Sequence, residues 1–496
     1  MKTRFLFLSV VGMFLSFSAY AQTPEDALRL AESGYGTSAR SVAMGNAMTG
    51  LAQGYDATSF NPAGLTQSRQ SEVSFGLNFL GYNNDASYLG NQGSLSSSQT
   101  DVSNIGLVYP FPTTRGGFVI AFGYNRGPDF NSALSVSGFN PNSSIIPSLY
   151  YPGDTLADIP YMVFLEDVNQ NPLVSKDVNQ SGKVYTSGGI NNWLASAGMD
   201  IAQNFSIGLT INLVNGSYKY TRTFAESGVQ GYTYNNSDFG SFLLNSQDNQ
   251  TINGWNAKAG FLYKWQDMNG ATYARFGAAI NFPSFLTVTD NYASQGSAYF
   301  TTPPVGPYNY STSNGYGQDE GAGPAVQYDV TTPFKFSIGA SGGTSQLTVA
   351  ADIQYVDWTQ LSFSNSNLGA STINDLNSQI KQEYKPTLNT RIGVELALTD
   401  PKYSLFVPYV RAGGGLLPSP YSSDGPSQAQ KYVSGGIGAR IQNTINIDFA
   451  YQYGWWDSNT LVYPSTVINN QTYPGQGTSN EKISNTNFIF TFAYNF

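Results

Sequence analysis

Residues 487–496 read Asn-Phe-Ile-Phe-Thr-Phe-Ala-Tyr-Asn-Phe. Successive side chains of an extended chain point to opposite faces, so Phe488, Phe490, Phe492, Tyr494 and Phe496 share one face. Asn487, Ile489, Thr491, Ala493 and Asn495 share the other. One face is aromatic and the other mostly small or polar. Soluble sandwiches also alternate. There, however, a long, flat, aromatic edge strand would invite aggregation. In a barrel closed on itself the edge is paired, and an aromatic face can rest against lipid.

The same rhythm recurs upstream. Phe205, Ile207, Leu209, Ile211 and Leu213 alternate with Ser206, Gly208, Thr210 and Asn212. Leu347 to Tyr355 and Ile445 to Trp455 behave alike. Marking every such run predicts fourteen strands near 71–82, 100–111, 115–126, 186–201, 203–221, 252–265, 272–290, 325–341, 345–363, 387–398, 403–412, 430–441, 443–457 and 484–496. Short connections, such as Pro112 to Thr114 and Gly342 to Thr344, alternate with long ones at 83–99, 127–185, 222–251, 291–324, 364–386, 413–429 and 458–483. Short turns on one side and long loops on the other are the pattern of a transmembrane β-barrel. The fold expected is therefore all-β, a 14-stranded antiparallel barrel over residues 71–496. Its C-terminal strand resembles the terminal strand of bacterial outer-membrane proteins.

Composition agrees. Only 11% of the 496 residues are charged, against roughly 25% in an average soluble domain. Aromatics reach 14%, and no run of 18 apolar residues follows the N-terminus. There is no His and no Cys. That removes Ser-His-Asp chemistry, thiol nucleophiles, thiolate metal sites and disulfides. The net charge of −9 disfavours nucleic acid as a partner. No cofactor and no metal are expected, and an enzyme is not.

At the N-terminus, Lys2 and Arg4 precede an apolar run from Phe5 to Phe17 and the small-x-small step Ala19-Tyr20-Ala21. Residues 1–21 read as a secretory signal peptide. Residues 22–70 are not strand-like, and 27–31 and 38–52 favour short helices. A fourteen-stranded barrel leaves a lumen to be filled or left wet. A compact, small-residue segment ahead of the first strand has the size of a plug.

Within it stand Gly34-Tyr35-Gly36-Thr37-Ser38-Ala39-Arg40, Ala43-Met44-Gly45-Asn46-Ala47, Asp56-Ala57 and Asn61-Pro62-Ala63-Gly64-Leu65. These motifs resemble the N-terminal hatch of the FadL/TodX outer-membrane transporters. The Asn-Pro-Ala step is that family's most recognisable hatch element. Residues 22–33 lie upstream of the matching part. The resemblance implies a plugged lumen, passive uptake of long-chain fatty acids or aromatic hydrocarbons, and Asn61, Pro62, Ala63 and Gly64 as hatch residues. It also implies residence in the outer membrane of a Gram-negative cell, among its lipids, as a monomeric barrel with a hydrophobic small-molecule substrate.

With the aromatic face outside, register turns Lys258, Lys264, Arg275, Lys335, Asp352, Arg391, Glu395 and Asp448 inward. A Lys or Arg on the lipid face at midplane costs about 2–4 kcal/mol, so inward placement needs no ligand. The plain reading is a set of lumen salt bridges. The sharper one is a seat for an acidic head group on Lys258, Arg275, Lys335 and Arg391. Arg391 and Glu395 lie about 13 Å apart on one strand and need cross-strand partners. An alternative function is a FadL-like barrel serving protein secretion or surface attachment, with residues 127–185 as the working part.

Overall fold

The computed structural model describes residues 23–150, 158–235, 237–267, 271–313, 325–367 and 369–496. The signal peptide expected at 1–21 lies outside the described residues.

Fourteen antiparallel strands close into one barrel. The first two are β1 (Glu72–Tyr88) and β2 (Asn91–Phe111). β3 runs Phe118–Asp129 and continues as Ser132–Asn140. β4 (Val178–Ala202), β5 (Phe205–Gly228) and β6 (Phe239–Gln266) are unbroken. β7 joins Thr272–Asn281 to Phe285–Phe300, and β8 joins Val326–Thr331 to Lys335–Thr344. β9 joins Leu347–Asp357 to Ser362–Ser364. β10 (Pro386–Ala397), β11 (Phe406–Leu417) and β12 (Gln430–Ile441) are short. β13 (Ile445–Tyr463) and β14 (Gln476–Asn495) complete the sheet. β14 pairs back onto β1, Phe75 opposite Phe492, so no edge is left open.

The outward face explains the closure. On β5, Phe205, Ile207, Leu209, Ile211 and Leu213 are exposed. Nine residues make about 30 Å of strand, or about 23 Å of height at a 40° tilt, which matches an apolar bilayer band. Above the band the outward residues become Asn215, Ser217 and Lys219. β14 changes likewise, from Phe488 through Thr486 to Lys482.

Among the described residues the short connections fall within a few residues of where the sequence places them; the one expected at Gly342 to Thr344 lies at Ser345-Gln346, because Gly342 and Gly343 still pair with Val349 and Thr348. The long ones do not all hold. Residues 83–99, expected as a loop, are strand except for the two-residue turn Leu89-Gly90, whose φ angles are both positive. In 222–251, strand continues to Gly228 and resumes at Phe239. Past the membrane the outer face meets water, so the apolar signal stops although the ladder does not. The overrunning strands and their loops bury a separate core including Tyr88, Ile145, Val163, Phe224 and Tyr463.

In this overrun, seven residues above the lipid-facing Trp255, Asp248 is hydrogen-bonded to the fully buried Asp290. Gln250 Nε2 donates to both carboxylates, at 3.0 and 3.2 Å. Burial first, and each carboxylate's bond to and repulsion by the other second, hold Asp290 well above the usual carboxylate range. The folded pair keeps a proton that the unfolded chain releases near pH 4, so it costs stability as pH rises from about 4. Asp290→Asn should therefore raise the thermal midpoint in detergent by a few degrees at pH 8 and change it little at pH 4. A loss at both pH values would refute this.

Candidate functional site

The N-terminal residues 23–67 meet inward faces all round the barrel. Helix α1 (Pro24–Ala31) starts with a capping box: Asp26 N–H donates to Thr23 Oγ1, and Thr23 N–H to Asp26 Oδ2. Its Ala27, Leu28, Leu30 and Ala31 pack into a cluster with Val214, Leu286, Tyr328 and Trp358, and with Leu376 and Ile380 of the helix Ala370–Glu383. Arg29 bonds Asp26 at 2.5 Å and Gln250 at 3.2 Å, its guanidinium 3.5 Å from the Tyr218 ring centroid. Helix α2 (Ala39–Ala43) has a second capping box, Ser38 with Ser41.

Below α1 the chain is small enough to lie against the wall because the wall is glycine. Gly106 and Gly123 face the Tyr55 ring, and Gly198 and Gly208 face Pro62. Gly260 faces Asn61, and Gly277 and Gly339 face Thr49. Gly393 and Gly413 face the Met44–Gly45 backbone, and Gly436 faces Ala43. A Cβ at any of these ten positions would stand under 3.0 Å from its neighbour. Several are cross-strand partners, including Gly198 with Gly208, Gly208 with Gly260, and Gly393 with Gly413. The result is a belt spread over ten strands.

Polar ties accompany the belt. Asn61 Nδ2 donates to the carbonyls of Thr49 (2.8 Å) and Phe261 (2.9 Å), while its Oδ1 accepts Ala63 N–H at 3.2 Å. Pro62 opens the short helical turn Pro62–Gln67, with Ala63 and Gly64 buried inside it. Tyr432 OH donates to Gly45 O at 2.9 Å, and Ser341 Oγ to Gly50 O at 2.8 Å. Thr491 Oγ1 accepts Ala39 N–H at 2.8 Å.

All eight charges expected inward do turn inward, and most serve these ties. Arg40 of α2 grips Glu395 through two 2.9 Å bonds. Arg411 bonds both Glu395 and Asp448 at 2.5 Å, giving the alternating chain Arg40–Glu395–Arg411–Asp448. Glu395 thus finds its cross-strand partner in Arg411, which lies directly opposite. Arg411 is absent from the expected inward set, although alternation from the exposed Phe406 and Val410 would have revealed it. Asp352 Oδ2 accepts Thr49 N–H at 2.7 Å. Lys264 reaches Asp200 at 2.8 Å and Thr66 Oγ1 at 3.1 Å.

The four cations singled out for a head group divide. Lys258, Lys335 and Arg391 border one cavity of about 1160 Å³, which α1 also lines. Arg275 lies outside that lining, its guanidinium 4.5 Å from the Tyr273 ring centroid. Lys335 Nζ donates to Ala31 O (2.6 Å) and Ser33 Oγ (3.2 Å), closing the C-terminal end of α1. Arg391 donates to Gln354 Oε1 at 3.2 Å. Lys258 has no hydrogen bond or ion pair among the described residues.

No protein-family model matches the chain, and no curated protein matches it. Solved structures do. A Pseudomonas aeruginosa FadL homologue aligns with a TM-score of 0.52 at 14% identity, over 94% of this chain and 99% of its own. The P. putida toluene transporter TodX aligns with a TM-score of 0.52 at 14% identity, over 93% and 99%. A mutant TodX described as a monoaromatic hydrocarbon channel aligns at 0.51, also 14% identical, over 94% and 99%. Strand count, closure and near-complete coverage agree: the chain has the fold of the FadL/TodX barrels.

Proposed function

We propose that the chain is a FadL/TodX-family barrel of the Gram-negative outer membrane that lets hydrophobic small molecules pass passively, long-chain fatty acids among them. The expected hatch, residues 22–70, is its gate. The observation that carries this reading is the lumen itself. A glycine belt seats residues 43–62 against the wall, and a cavity large enough for a lipid-sized ligand lies against α1. Apolar Ile190, Val214 and Leu286 share that cavity with cations. An apolar body with an acidic head suits such a lining.

Asn61 holds two stretches of backbone at once, so it sets the position of the gate. Each buried carbonyl left without its donor costs about 1–3 kcal/mol. Asn61→Ala combined with Pro62→Ala should leave the barrel assembled and lower uptake of labelled oleate or toluene several-fold. Uptake is to be compared in cells at matched surface levels. Equal uptake by variant and parent would overturn the gating role.

A further inference from the structure

Three neighbouring strands place Lys258, Asn281 and Lys335 in one row. Lys258 is the register partner of Asn281 across β6–β7, and Asn281 of Lys335 across β7–β8. The two lysine Cα atoms are thus about 10 Å apart, within reach of a shared ligand for side chains of this length. All three line the cavity. Asn281 has no side-chain hydrogen bond among the described residues, and Lys258 has neither hydrogen bond nor ion pair.

The charge around this row does not balance. Arg391 stands opposite Asp352 in register and interacts with it electrostatically. The two lysines repel each other, and neither has a carboxylate within ion-pair distance among the described residues. Glu32 approaches Lys335 through its main-chain carbonyl, at 3.4 Å, and its carboxylate attracts Lys335 from beyond ion-pair distance, whereas among the described residues no carboxylate acts on Lys258 in this way. Two ammonium groups with an amide donor between them, only one of them partly offset by Glu32, suit a ligand with more negative charge and more acceptor oxygens than a carboxylate offers. The adjoining wall, with Val214, Leu286 and Trp358, suits an alkyl or aromatic body.

We propose that Lys258, Asn281 and Lys335 form the seat for a dianionic phosphate monoester at the head of an amphiphile. The proposal rests on the lumen being the substrate path and narrows what that path selects. The phosphate oxygens replace the carbonyls of Ala31 and Glu32 as acceptors for Lys335. Ligand entry therefore frees the C-terminal end of α1, linking the seat to the N-terminal segment.

The test is calorimetric titration of the full barrel in nonionic detergent at pH 8, with decyl phosphate, decyl methyl phosphate and decanoate below their micellar concentrations. Decanol serves as the neutral control. Decyl phosphate should bind at least tenfold tighter than either single-charged ligand. Lys258→Gln should remove that preference, while Lys258→Arg, which keeps the charge, should retain most of it. Heat-modifiable gel migration confirms that both variants are folded. Equal binding of decanoate and decyl phosphate would overturn the phosphate seat. Binding of decanol alone would overturn it too, leaving the hydrophobic path intact. Failure of all four ligands would remove the lumen-path reading and the seat together.

Discussion

Gly393→Leu is expected to raise conductance through the barrel by driving residues 43–62 from their seat on the wall. A Cβ at this position stands under 3.0 Å from the Met44 backbone. The obstruction is main chain on both sides, so no rotamer change relieves it. Gly413, the cross-strand partner of Gly393, is packed just as tightly against Gly45, so the segment cannot slide aside locally. The fourteen-strand ladder does not depend on this contact, and leucine is tolerated in a strand. The segment should leave its seat while the barrel still closes. In planar bilayers we expect single-channel conductance to rise by about tenfold or more, since a displaced segment leaves a wide wet lumen. Gly435→Leu is the matched control. Gly435 lies on the lipid-facing side of β12, where its Cβ would meet only Arg411 O at 3.7 Å. Its conductance should match that of the parent. If Gly393→Leu conducts no more than Gly435→Leu, the belt does not hold the segment.

The second large effect is expected at Glu395. This carboxylate sits between two guanidinium groups, Arg40 at 2.9 Å and Arg411 at 2.5 Å, all three largely buried. Glu395→Gln keeps the shape and removes the charge. Arg411 then keeps Asp448, while Arg40 is left with no carboxylate within ion-pair distance among the described residues, Asp56 acting on it only from farther away. Breaking a buried pair in this way costs about 3–5 kcal/mol, because the remaining charges are stranded away from water. The thermal midpoint in detergent should fall clearly. Arg40→Gln in the same chain should restore much of the loss, since it leaves Arg411 with Asp448. A double-mutant cycle over Arg40 and Glu395 measures the coupling. Additive losses would show that the two residues act separately and that α2 is held by packing alone.

The barrel was legible from alternation because lipid imposes one requirement on every outward residue within the band. Phe205 to Leu213 and Phe488 to Phe496 show it plainly, and the inward charges follow by parity. The upper halves of β1 and β2 were not legible. There Asn83, Asp85, Ser94 and Ser96 face water, and period two carries no apolar signal although the backbone pairing continues. The motif at Asn61 was readable, but its partners were not. The carbonyl of Phe261 is 200 residues away and belongs to the backbone, so no side chain announces it.

What the sequence by itself determined is the class of structure: how many strands, which face meets lipid, and which charges must turn inward. What only the tertiary structure decided is the content of the lumen. A glycine is needed at 393 because Met44 lies across from it, and nothing within β10 records that. Lys258, Lys335 and Arg391 share a cavity and Arg275 does not; between Arg275 and the cavity-lining Asn281 on the same strand, Gly277 is covered by Thr49. Strand periodicity is a local property of the chain facing a uniform solvent. Lumen packing is a relation between residues hundreds of positions apart, and it exists only once the ring is closed.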